Sequence, residues 1–121
     1  MKRAAILCLA LLIVPRAASA AATSIACSYP KDQELTFDVP KKPGVLPSIE
    51  FDYPSKVTLF SFRDGNLLLV AMDAEESTRV RVVISAQRDK AKGLYIGQIV
   101  TDAGGNQLML DNGPVTCRMK D

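Results

Sequence analysis

The mature part of this 121-residue sequence is predicted to be all-β, a small antiparallel barrel of about eight strands, with a β-sandwich as the alternative. Short β-branched or aromatic runs recur between turn residues, and no stretch keeps a helical period over a useful length. Two cysteines, Cys27 and Cys117, stand near the two ends of the exported chain. A disulfide between them would join the first and last strands, which favours closure into a barrel.

The N-terminus is read as a secretory signal. Lys2 and Arg3 precede an unbroken apolar run over residues 4–14, Pro15 interrupts it, and Ala18-Ser19-Ala20 fits the small-x-small rule for cleavage after Ala20. The run has 11 residues, where a spanning helix needs about 20, so the mature form is expected to carry no membrane span. Residues 21–121 then form one domain in the periplasm or outside the cell. Lipid anchoring at Cys27, which follows the small residue Ala26, is the lesser alternative, because Cys27 lies 13 residues beyond the apolar run. Cleavage removes Lys2, Arg3 and Arg16, so the 15 basic residues fall to 12 against 13 acidic ones. A chain so close to neutral offers no global attraction to nucleic acid.

Cys8 leaves with the signal, and the remaining pair in an exported chain reads as a structural disulfide closing nearly the whole domain. Loop-closure entropy values such a bond at roughly 4–5 kcal/mol. The first strand is expected over residues 23–29, a turn at Lys31-Asp32, and a second strand over 34–39, where Leu35, Phe37 and Val39 alternate with polar residues. Residues 39–48 hold Pro40, Pro43 and Pro47 and read as a loop. Ile49, Phe51 and Tyr53 alternate with Glu50 and Asp52 in an expected third strand.

Residues 57–62 and 66–73 form an expected hairpin turning at Arg63-Asp64-Gly65. The run Leu67-Leu68-Leu69-Val70-Ala71-Met72 is apolar on both faces, which suggests a strand covered on both sides or a homodimer contact. Residues 73–77 read as a solvated acidic turn. Over 78–86, Val80, Val82 and Ile84 alternate with Arg79 and Arg81, whose face is expected to be solvated. After a polar loop at 87–92, strands are expected over 93–101, 106–111 and 114–119, with turns at 103–105 and at Asn112-Gly113.

The sequence contains no histidine, which removes the commonest general base and the usual nucleophilic triads and zinc sites. With both mature cysteines oxidised, no thiolate is left. No catalytic residue, metal or cofactor is therefore expected, and the chain reads as a binding protein and not an enzyme. The most distinctive surface feature is the basic loop Arg88-Asp89-Lys90-Ala91-Lys92, followed by Tyr95. Arg88, Asp89, Lys90, Lys92 and Tyr95 are the candidate partner-binding residues, on the view that recognition loops sit on rigid scaffolds.

The placement of Cys27 and Cys117 and the order Ile84-Ser85-Ala86, polar loop, Gly93-Leu94-Tyr95-Ile96, Leu108-Met109-Leu110 resemble the bacterial periplasmic and membrane-bound inhibitors of c-type lysozyme. The likeness covers about the last third of the mature chain. It implies an antiparallel barrel that inserts a loop into a lysozyme cleft, and hence a protein partner. The family's S-G-x-x-Y motif is absent: the corresponding segment reads Ala86-Gln87-Arg88-Asp89-Lys90. A basic loop would also slow approach to a cationic lysozyme. The competing expectations are a barrel holding a small apolar ligand and a structural envelope protein.

Overall fold

In the computed structural model, which describes residues 23–120, seven strands form one antiparallel sheet curled into a half-barrel. They are β1 (Ser24–Tyr29), β2 (Gln33–Asp38), β3 (Ser55–Arg63), β4 (Asn66–Asp73), β5 (Val80–Asp89), β6 (Leu94–Asp102) and β7 (Leu110–Lys120), in the order β2-β1-β7-β6-β5-β4-β3. The apolar N-terminal run, Cys8 and the expected cleavage point lie outside the described residues. From β3 to β7 every strand pairs with its neighbour in sequence. The β1–β2 hairpin joins this meander through β1, which lies beside β7. Cys27 and Cys117 face each other in register at that junction and are bonded, as the sequence predicts for the first and last strands.

Closure is different from the expectation. The cysteine-bearing strands are interior neighbours, so the seam lies elsewhere: β2 and β3 are the two sheet edges and are not hydrogen-bonded to each other. Only side chains bridge them, with the rings of Phe37 and Phe60 edge to face at 5.8 Å between centroids. The expected strand over 49–53 has no ladder partner, although its alternation persists. Pro47, Ile49, Phe51 and Tyr53 turn inward while Ser48, Glu50 and Asp52 stay exposed. Pro40, Pro43 and Pro47 supply no amide donors to register this segment against an edge. It covers the inner face as an extended strap instead.

Of the strands expected over 106–111 and 114–119, residues 106–109 are not strand, and residues 110–111 run on into the second as one strand, β7, with Asn112 paired to Val100 and Gly113 to Ile99. Asn-Gly here is not a turn. Gly113 is required because a Cβ there would lie 2.8 Å from the Pro30 ring, which packs over the strand. The reversal between β6 and β7 falls entirely within residues 103–109.

The core lies on the inner face: Ile25, Phe37, Leu67, Leu69, Ile84 and Val115 pack around the disulfide. A Cβ on Gly97 would lie 1.9 Å from the Ser85 carbonyl oxygen, so only glycine allows β6 to approach β5 so closely in this curled sheet. In β4, Leu67, Leu69 and Ala71 are buried, while Leu68, Val70 and Met72 are half-buried on the outer face.

Candidate functional site

The basic segment singled out in the sequence is the β5–β6 hairpin tip. Arg88 pairs with Tyr95 and Asp89 with Leu94 across the ladder. The Asp89 carboxylate accepts the amides of Ala91 and Lys92, and Gly93 at φ 66° completes the turn. The tip is therefore short and ordered, with Lys90 and Lys92 exposed. Tyr95 does not share that surface. Its ring packs against Phe62 at 5.2 Å, on the flank of the core.

At the other end of the sheet lies a cluster that period-two reasoning misses. Met72 pairs with Val80 and Ala71 with Val82, so Arg81 is the extra residue of a β-bulge. The bulge breaks alternation and sends Arg81 and Val82 to the same side. Arg81 is consequently 5% exposed, not solvated. Its Nε donates to Asp73 Oδ2 at 2.7 Å, and its Nη1 donates to the carbonyls of Asp102 at 2.8 Å and Gly104 at 2.6 Å. The Tyr53 ring packs against the guanidinium, 5.1 Å from its centroid. Asp73 is buried as well, against the solvated-turn reading, whereas Glu75 and Glu76 of the same turn are exposed as expected.

Arg79 completes the arrangement. It grips Asp102 bidentately, Nε to Oδ2 at 2.7 Å and Nη2 to Oδ1 at 3.1 Å, and also donates to the carbonyls of Gly104, Gly105 and Gln107. Asp102, only 1% exposed, accepts the amides of Gly104 and Met109 at 3.0 Å each. The Arg79 bond, helped by those amides, holds the Asp102 carboxyl far below the usual carboxylate range. For Asp73 the amides of Glu76 and Glu75 act first, then Arg81, and its pKa falls from 3.8 to about 2. Both carboxylates are thus charged at neutral pH, and each faces an arginine. The sequence shows these four residues, but not that a bulge and a strand end would bring them together.

This network clamps the loop over residues 103–109 at both ends. Gly104 lies at its tightest point, where a Cβ would come within 1.9 Å of the Gln107 carbonyl oxygen. The clamped backbone presents Leu108, Met109 and Leu110 at 69%, 65% and 67% exposure. Beside them opens a cleft of about 380 Å³, lined by Tyr29, Ile99, Thr101, Met109, Leu110 and Gly113 among others. Among the described residues, no group of three or more histidine, cysteine or acidic side chains is placed to hold a metal ion. No protein-family model matches the chain, and no curated protein or solved structure matches it either.

Proposed function

We propose that the chain is an exported binding module of the cell envelope that recognises a protein partner through the clamped loop over residues 103–110. One observation carries this reading: a buried network of two arginines and two aspartates holds three consecutive large apolar side chains in water. Stability alone does not account for such an arrangement. Burying charge is expensive and exposing adjacent leucine and methionine forfeits hydrophobic gain, whereas preorganised apolar anchors favour association. The loop lies at the opposite end of β6 from the basic hairpin tip, so its approach to a cationic partner is not opposed by Lys90 and Lys92.

The sharpest form of the proposal is inhibition of a c-type lysozyme by loop insertion. Purified mature protein is mixed with c-type lysozyme and cell-wall lysis is followed. Slowed lysis that is restored by the Leu108→Ser, Met109→Ser double variant supports the assignment. Unchanged lysis at large molar excess removes lysozyme as the partner.

The cleft beside the loop supports a second reading, capture of a small apolar ligand. Native mass spectrometry of the exported protein tests it, and a spectrum showing the bare polypeptide mass counts against it.

A further inference from the structure

The number of strands bears on what the open seam accepts. Neighbouring strands alternate in direction across the sheet, so the two edges of a seven-stranded sheet, β2 and β3, run the same way. Direct closure would require a parallel pair in an otherwise antiparallel sheet. One further strand, antiparallel to both edges, would bring the number to eight and keep the alternation intact. Residues 47–53 cover the inner face as a strap and form no ladder with either edge, so they do not supply this strand. Beside the last residues of β3 the seam is open.

That opening is a groove of about 560 Å³ between the last residues of β3, including Phe60 and Phe62, and the segment after β2, including Val39, Pro40 and Val45. Among the described residues, the outer edge of β3 makes no backbone hydrogen bond, so the groove has a row of unpaired amides and carbonyls along one wall. Lys42 and Arg63 stand exposed on its rim, and among the described residues neither is held in an ion pair. The edge itself carries Lys56 near one end and Arg63 at the other. A second copy pairing β3 with β3 about a two-fold axis at Phe60, the register that pairs the whole strand, would set Lys56 of each chain against Arg63 of the other, and like charges directly opposite are destabilising.

We infer that the outer edge of β3 beside the groove is a strand-addition site for a short, extended, acidic peptide segment of another protein, bound antiparallel to β3. Main-chain hydrogen bonds supply the attachment, Phe60, Phe62 and Val45 meet alternate apolar side chains, and Lys42 and Arg63 select acidic ones. This surface is separate from the loop over residues 103–110.

A short alternating glutamate–valine peptide, its lysine–valine counterpart and a version N-methylated at alternate amides are titrated into the isotope-labelled mature protein. The acidic peptide should shift backbone resonances of residues 39–45 and 60–63 and slow amide exchange along β3. The lysine peptide should bind about tenfold more weakly, as expected of two exposed charge pairs. N-methylation should abolish binding, because the ladder cannot form. The Lys42→Glu, Arg63→Glu double variant changes only exposed side chains and should invert the charge preference. Equal binding of both peptides, binding that survives N-methylation, or no change at residues 60–63 would overturn the site. Shifts confined to Leu108, Met109 and Leu110 would also overturn it while supporting the loop as the binding surface.

Discussion

Lys31 and Asp32 turn the chain between β1 and β2 with φ of 67° and 55°, a left-handed pair built without glycine. The Cβ of an L-residue resists that conformation, so Asp32→Gly is expected to raise stability by up to about 1 kcal/mol, read as a higher denaturant midpoint. Gly97→Ala should act the opposite way. Its new methyl would meet the β5 backbone, which cannot yield as a side-chain tip could, and a loss of about 1–3 kcal/mol is expected in the same measurement. The turn was legible in the sequence because lysine-aspartate between two alternating runs is turn chemistry. The role of Gly97 was not, since its constraint comes from a strand that only the fold brings close. Asp73 gives a pH dependence. Its folded pKa of about 2 lies below the ordinary 3.8, so the unfolded chain takes up its proton first as pH falls. Its contribution is complete above about pH 4 and disappears through pH 2. Acid titration should show a stability loss over that interval, diminished in Asp73→Asn.

Most strands were legible as elements because their buried and exposed residues alternate. The hairpin of β3 and β4 turns at Asp64-Gly65, with φ of 55° and 74°, as an Asp-Gly pair between apolar runs predicts. Two elements misled. Residues 49–53 keep the strand period without a ladder, since alternation reports which side faces the core and not whether a neighbour is hydrogen-bonded. Asn112-Gly113 has the composition of a turn but lies within β7, where packing against Pro30 requires the glycine. The candidate loop over residues 103–110 escaped for a related reason: Arg79 and Arg81 read as one face of a regular strand, and a one-residue bulge redirects Arg81. Asp102→Asn keeps the size of the side chain but removes its charge opposite Arg79. It is expected to lower the melting temperature and to speed amide exchange at Gly104 and Met109 while leaving the β3–β4 ladder protected. Uniform exchange across the sheet would show that the clamp is not local.

At the scale of the whole molecule, the sequence predicted an all-β chain pinned by Cys27 and Cys117, but it placed the seam at the strands they join, which are interior neighbours because the β1–β2 hairpin adds β2 outside β1. Five strands assemble by successive short reversals, and only the β1–β7 junction joins distant parts of the chain. The disulfide crosses that junction between residues 90 positions apart, and removing it with Cys27→Ala and Cys117→Ala is expected to lower stability by about 2–5 kcal/mol, measured by thermal or chemical unfolding. The loss should fall first on β1 and β2, whose sole strand partner in the meander is β7. Once unlatched, that N-terminal pair is tethered by the proline-rich crossover over residues 39–54, long enough to let it swing away as a unit. At high protein concentration under reducing conditions it can dock on the last strand of a neighbouring molecule, giving reciprocal dimers by arm exchange. Oxidation of the monomer forecloses that route.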